Sequence, residues 1–295
     1  MEAIKVLNNV IEYIEDNLEG KLEIEEISKV ACFSKFHFQR MFYALTGFTI
    51  NEYIRNRRLT LAAEELMAKD IKIIDVALKY GYESPEAFTK AFQRLHGATP
   101  SAIKKLNVKI KAFPKISFQI SIKGECEMVY KIVEKEAFKV LGKCFETTTV
   151  DGACYREIPE FCDEIWENGV HDRINEAVGR VKGNMLHGIH YDFKEDGTRK
   201  YMMGWEVEEV SVPEDLTILQ VPESTWAVFE GTGRMPDGIA IQKVWKRIYS
   251  EWFPSSGFEQ VEGPCLEKYY WVDEEQGEYT CEVWIPVKGK IEDKK

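Results

Sequence analysis

Cysteine gives this chain no scaffold. The seven cysteines among its 295 residues are odd in number and scattered, with no C-x-x-C pair. That pattern argues against a disulfide framework or a zinc ribbon and fits reduced thiols. Long apolar runs are also missing: none approaches the roughly 20 residues that cross a bilayer. A membrane is therefore not an expected partner, and the cytoplasm is the expected location. The first twenty residues carry several acids inside an apolar pattern, which does not read as a signal peptide. No low-complexity tract, P-loop, G-x-S-x-G elbow or dinucleotide fingerprint in a supporting context occurs. His187 and His190 are three apart, and strand alternation sends such a pair to opposite faces, so no metal or other cofactor is expected. Cys281 lacks the partners of a nucleophile and reads as buried packing.

What is present suits two domains, since 295 residues leave ample length for two cores. The net charge of −11 is unevenly spread. Residues 1–106 hold 15 basic and 15 acidic residues, so the remainder carries the whole negative balance. Two parts of such different electrostatic character are expected to serve different ligands.

The first third is helical. Ile4, Leu7, Ile11, Ile14 and Leu18 recur at helical spacing, and similar segments follow between breaks at Gly20, Gly47, Lys69-Asp70, Gly81 and Gly97. It also repeats itself. SKFHFQRMFYALTG (34–47) lies over SPEAFTKAFQRLHG (84–97) at an offset of 50, matching Ser, two Phe, Leu and the closing Gly. Serine suits the N-cap, the Phe-Phe-Leu stripe the buried face, and glycine the left-handed residue after the helix. Each copy follows another short helix, IEEISKVA (24–31) or IKIIDVALKY (71–80), which makes a tandem helix-turn-helix. With Phe38, Phe42 and Leu45 inward, Phe36, Gln39, Arg40 and Tyr43 are expected on the outer face of the first capped helix. Glu86, Thr89, Lys90 and Gln93 are their counterparts on the second. Glutamine and arginine have the bidentate geometry that reads adenine and guanine edges in a major groove. Arg55, Arg57 and Arg58 on the joining helix (51–67) either contact phosphate or bridge the surface.

At these residues the sequence resembles a known family. IIDVALKYGYESPEAFTKAFQRLHGATPSAIK (73–104) and SKFHFQRMF are similar to the DNA-binding domain of AraC-type transcription regulators, and the likeness spans residues 1–106. It implies double-stranded DNA as a partner, with both recognition helices of one chain entering successive major grooves about 34 Å apart. RNA polymerase is a candidate further partner. By position, Phe36, Gln39 and Arg40 would read bases from the first helix, and Thr89 and Lys90 from the second. Ser84 and Glu86 would lie near the backbone, with Tyr43 and Arg55 in the same interface. Lys90 stands where several relatives carry arginine, and a point charge in place of a planar fork loosens base choice.

Beyond a linker placed at 107–116, the pattern changes to strand, helix, strand, strand, and then returns. Residues 131–146 read as extended, 158–170 as an amphipathic helix, and 185–193 and 200–210 as strands. Then 216–233 is extended, 238–253 helical, and 265–287 a hairpin-like pair. Overlaying the halves sets Tyr201 on Tyr279 and Gly204 on Glu282. The expected fold is therefore multi-domain: an all-α tandem helix-turn-helix, then an α+β unit of two pseudo-symmetric strand-helix-strand-strand halves sharing a cleft. Residues 117–289 resemble the GyrI-like effector-binding domain, most specifically in the closing strand CEVWIPV. The resemblance implies a small-molecule effector, a lipophilic cation in the drug-binding members, received by a buried glutamate among aromatics. By position that glutamate is Glu282, with Trp205, Tyr191, Trp226, Tyr270 and Trp284 as candidate aromatics. Rings around one carboxylate form a coherent cation site. Two alternatives stay open: a hydrolase of strained electrophiles using the same cleft, and a second domain that binds no ligand and docks a partner. Fusion to a DNA-binding domain favours sensing over catalysis.

Overall fold

The computed structural model describes residues 2–105, 109–118, 128–179, 185–208, 211–235 and 239–289. Contacts group the chain into two compact units, residues 1–38 with 50–122 and residues 39–49 with 123–295.

The helical part contains α1 (Glu2–Asp16), α2 (Ile24–Ala31), α3 (Lys35–Thr46), α4 (Ile50–Ala68), α5 (Ile73–Lys79), α6 (Pro85–His96) and α7 (Pro100–Lys105). The first six fall where periodicity predicts them. The seventh is a single extra turn and a half that the sequence did not announce as separate. The second helical repeat packs around Leu59, Ala63, Leu66, Val76, Phe88 and Phe92, all buried. Long side chains also serve as struts. Arg57 forks onto Glu15, with Nε 2.9 Å from Oε1 and Nη2 2.7 Å from Oε2, while Nη1 donates to the Phe113 carbonyl. Arg58 donates to the carbonyls of Leu18 and Gly20. Both arginines thus bridge elements within the first unit; Arg55 is exposed. The described part of the expected linker is tied down rather than loose. Phe118 exchanges two hydrogen bonds with the Asn8 side chain, and Lys115 pairs with Glu12.

The Arg57 fork gives a test. Lysine keeps the charge but has no planar fork to hold a carboxylate and a carbonyl together. Arg57→Lys is expected to lower stability by about 1–2 kcal/mol, read as a lower urea midpoint in equilibrium unfolding; an unchanged midpoint contradicts the strut.

The second unit is built on an antiparallel sheet. Its strands are β1 (Tyr130–Lys135), β2 (Phe138–Thr148), β3 (His187–Tyr191), β4 (Thr198–Val207), β5 (Thr217–Val221), β6 (Ser224–Arg234), β7 (Phe258–Gln260), β8 (Cys265–Asp273) and β9 (Glu278–Gly289). The spatial order is β1-β6-β9-β8-β3-β4-β2-β5, with β7 added beside β9. Three helices accompany it: α8 (Cys154–Glu167) and α9 (Val170–Ala177) follow β2, and α10 (Ile239–Arg247) follows β6. β4 and β9 therefore hold corresponding places on either side of the central β3–β8 pair. Neither α9 nor β7 was expected from the sequence.

Alternation gives the sheet two different faces. One carries Val140, Ile189, Met202, Trp226, Leu266 and Trp284 in a single apolar cluster. The other carries Leu141, Tyr201, Met203 and Trp205, packed with Phe161 and Ile165 of α8 and Ile174 of α9. Registry sets Glu267 across from Val283 and Lys268 across from Glu282. Glu267 and Glu282 consequently point to opposite faces of the sheet.

Candidate functional site

The outer face of α6 is the simpler of the two candidate recognition surfaces. Ser84 caps the helix, its hydroxyl accepting from the Ala87 amide at 3.1 Å, and Gly97 closes it with φ of 75°. With Phe88 and Phe92 in the core, Glu86, Lys90 and Gln93 are exposed and Thr89 is half-buried. These four line a shallow groove together with Pro85 and Arg94. Arg94 was not among the expected residues; its spacing of four from Lys90 was the available signal.

On α3 the serine repeat also holds, since the His37 amide donates to the Ser34 hydroxyl at 3.3 Å. Phe38 and Phe42 are fully buried as the stripe requires. Phe36, Gln39 and Arg40 are half-buried. Tyr43 departs from the expectation of an outer face: it is 8% exposed, and its hydroxyl lies 3.6 Å from the Cys154 thiol. Burial also pushes its proton affinity up, so it stays a neutral phenol. Helical periodicity could not show this, because the covering group comes from the start of α8. Arg40 sets its guanidinium carbon 4.1 Å from the centre of the Phe193 ring.

Glu282 does face inward, at 9% exposed, and its burial is offset within the chain. Lys131 Nζ donates to it at 3.1 Å and Trp284 Nε1 at 2.8 Å. Trp226 is fully buried with its ring 6.1 Å from that of Trp284, and Tyr191 packs against the same cluster. Trp205 belongs instead to the cluster under α8 and α9, where its Nε1 donates to Asn175 at 2.7 Å. Tyr270 is 45% exposed. Trp205 and Tyr270 line a cleft of about 940 Å³ with His187, Glu206 and Lys268. The six expected effector residues are therefore not brought to one place.

A second carboxylate, which the sequence reading passed over, has the stronger chemistry. Glu267 on β8 is 7% exposed. Trp245 Nε1 of α10 donates to Oε1 at 2.6 Å, the Tyr269 hydroxyl donates to Oε2 at 3.0 Å, and His190 Nε2 lies 3.1 Å from Oε1. Burial works to raise the Glu267 carboxyl, but His190 and the three hydrogen bonds outweigh it and hold it below the ordinary range. Burial pushes His190 down against the pull of Glu267. The pair at neutral pH is therefore an ionised carboxylate and a neutral imidazole. Gly188 across the sheet permits this packing, since a Cβ there would overlap the Tyr201 hydroxyl and lie 3.1 Å from Glu267 Oε2. The result is an anion in an aromatic setting whose hydrogen-bond partners are all neutral.

Among the described residues no helix is long and apolar enough to cross a membrane. Comparison with known proteins accounts for both parts of the chain. Residues 128–288 match the GyrI-like small molecule binding domain family, and residues 27–105 match a helix-turn-helix domain family. An uncharacterised regulator of Bacillus subtilis, YbfP, is 42% identical over 100 residues, which is 34% of each chain. The match thus spans about a third of that relative. The regulatory protein SoxS of Salmonella typhimurium is 39% identical over 101 residues, 34% of this chain and 94% of that one. The solved structure of SAV2435 bound to tetraphenylphosphonium covers 55% of this chain and 95% of its own, with 20% identity and a TM-score of 0.46. The two curated relatives are both named as regulators. The chain belongs to the GyrI-like family and carries an AraC-type helix-turn-helix domain ahead of it, and it is a DNA-binding transcription regulator.

Proposed function

We propose that this regulator senses a lipophilic cation through the second part of its chain, and that the counter-ion is Glu267. The observation that carries the reading is the buried, ionised carboxylate held by Trp245, Tyr269 and His190, with no positive side chain bonded to it. A buried anion met only by neutral donors gains from an incoming cation, and aromatic walls add about 0.5–2 kcal/mol per well-placed ring. Glu282 is the weaker choice because Lys131 already matches its charge. Titrating the full chain with tetraphenylphosphonium and a panel of other aromatic cations tests the reading; no saturable binding across the panel ends it.

On the DNA side, we assign base contacts to Phe36, Gln39 and Arg40 of α3 and to Thr89 and Lys90 of α6, with Arg94 added. Ser84, Glu86 and Arg55 are assigned to the rim near phosphate. The domain bounds that go with this reading are 1–106 and 117–289. Lys90→Ala is expected to weaken binding to a duplex selected from a random pool about tenfold. If Lys90 contacts phosphate rather than a base, the loss is uniform across sequences and the salt dependence falls by about one counter-ion. Undiminished affinity with an unchanged salt slope removes Lys90 from the interface.

A further inference from the structure

Lys268 follows Glu267 on β8, so its side chain leaves the sheet on the face opposite the buried carboxylate. It is 12% exposed, and its ammonium stands 4.2 Å over the Trp284 ring. The nearest carboxylate oxygen among the described residues, Glu206 Oε2, is 3.9 Å away, which is beyond hydrogen-bond length. That carboxylate is already engaged, since its Oε1 accepts from Lys135 Nζ at 2.7 Å. Glu282, across the register, is likewise held by Lys131 at 3.1 Å. Burial pushes the proton affinity of Lys268 down, and Glu206 only partly restores it. A buried ammonium in this state lacks an acceptor.

Lys268 lines the cleft of about 940 Å³. Inside it two ammonium groups, Lys135 and Lys268, share the one carboxylate of Glu206, and one positive charge is left unmatched. The other charged residues of the lining, Glu136, Lys139 and Glu208, are exposed at the rim. Rings form one wall: the centre of His187 lies 4.4 Å from that of Trp205 and 5.8 Å from that of Tyr270, both edge to face. The opening has a topological cause. β3 joins the sheet only at His187, opposite Gly204 of β4, with Gly188 opposite Glu267 of β8. Among the described residues, no strand lies between residues 205–207 of β4 and residues 269–271 of β8.

We propose that this cleft is a second ligand site, separate from the Glu267 cluster, and that it takes a planar aromatic carboxylate, whose charge meets the Lys268 ammonium while its ring lies against His187, Trp205 and Tyr270. The proposal does not rest on the cation reading, because Glu267 and Lys268 face opposite sides of β8. Charge sets the class of ligand. A monoanion balances the one unmatched ammonium and gives it a charge-assisted hydrogen bond. A dianion would bring a surplus negative charge against Glu206, and a cation would sit beside two lysines. Shape sets the rest: aromatic side chains favour a flat ring, and the volume lies in the usual range for small-molecule sites.

Isothermal titration of the full chain with 2-naphthoate tests this, with 2-naphthamide as the uncharged counterpart. Wild type is expected to bind naphthoate saturably, and naphthamide about tenfold less tightly. Lys268→Met keeps an apolar stem over Trp284 and removes the charge. It is expected to weaken naphthoate about tenfold and to leave naphthamide within about twofold. Glu206→Gln removes the carboxylate that competes for the ammonium and is expected to tighten naphthoate about threefold, a gain that a merely structural role does not produce. Tyr270→Ala, at an exposed position that bears little on folding, is expected to weaken both ligands about fivefold. No saturable naphthoate binding overturns the proposal, as does equal affinity for the two ligands or unchanged naphthoate affinity in a folded Lys268→Met. Should that variant not fold, Glu206→Gln and Tyr270→Ala decide in its place, and unchanged naphthoate affinity in both overturns it. Glu267→Gln is expected not to weaken naphthoate; a tenfold loss there puts the ligand on the other face of the sheet and overturns the proposal too.

Discussion

Glu267→Gln is expected to lower the affinity of the full chain for tetraphenylphosphonium about thirtyfold, or ~2 kcal/mol. Glutamine keeps the size and removes the charge. The wild-type carboxylate accepts from Trp245, Tyr269 and His190, all neutral, so its charge is left for a ligand to meet. An amide cannot accept from all three groups with two acceptor-only oxygens, so a modest loss of stability accompanies the change. A melting curve separates that loss from the binding effect. Glu282→Gln is the matched control: its carboxylate is bound by Lys131 and Trp284, and cation affinity is expected to stay within about twofold. A folded Glu267→Gln with wild-type affinity places the site elsewhere.

The same geometry fixes the sign of the pH dependence. Glu267 is held below the ordinary carboxylate range and stays ionised across the useful window. His190, pushed down by burial, is neutral above its ordinary value of about 6.5 and gains a proton only below it. Once protonated, His190 gives Glu267 a cation of its own. Arg40 and Arg199 oppose that step, and the nearby Tyr201, Tyr269 and Cys162 stay neutral because burial raises each of them. Cation affinity is therefore expected to be flat above about pH 6.5 and to fall under acid conditions.

The helical part was legible because its signals are local. A 50-residue repeat with serine at the start and glycine at the end states where two helices begin and stop, and the caps at Ser84 and Gly97 follow that statement. α9 was missed because only Asn168 and Gly169, the latter with φ of 65°, separate it from α8, and eight residues give too little periodicity to set it apart. The ligand site is less local. In CLEKYYW the acidic and basic residues are adjacent, so one of Glu267 and Lys268 must face each side of the sheet. Which side is covered by helices depends on pairing with β3 and β9, and no pattern within the strand encodes it. Glu282 looked equivalent until Lys131, 151 residues away in sequence, proved to reach it. Tyr43 shows the converse: helical spacing gave its direction correctly relative to Phe36, yet a partner 111 residues along the chain covers it.

Gly204→Val is expected to abolish cooperative folding of the sheet, and Gly204→Ala to destabilise it by about 3 kcal/mol. Gly204 of β4 stands across from Gly142 of β2 in the register of the two strands. A Cβ at Gly204 would overlap the Leu141 carbonyl oxygen and lie 2.8 Å from the Gly142 Cα. The converse holds at Gly142, where a Cβ would overlap the Met203 carbonyl oxygen and lie 2.9 Å from the Gly204 Cα. The obstacles are backbone atoms of a paired strand, which cannot rotate away as a side-chain tip can. Relief requires β2 and β4 to part. β2 also carries β5, and β4 leads through β3 to β8 and Glu267, so parting them disturbs the strand that holds the anion. A backbone-to-backbone approach of this kind leaves room for glycine alone. Gly263→Ala supplies the contrast, since a Cβ there meets only Pro286 Cγ at 3.4 Å, an ordinary contact. Thermal unfolding followed by near-ultraviolet ellipticity reads both, because Trp205 and Tyr201 lie on the strand in question. Gly263→Ala should melt within a degree or two of wild type, about what a change of ~0.5 kcal/mol produces in a domain of this size. A Gly204→Ala protein that melts with it would mean that β2 and β4 are not paired in this register.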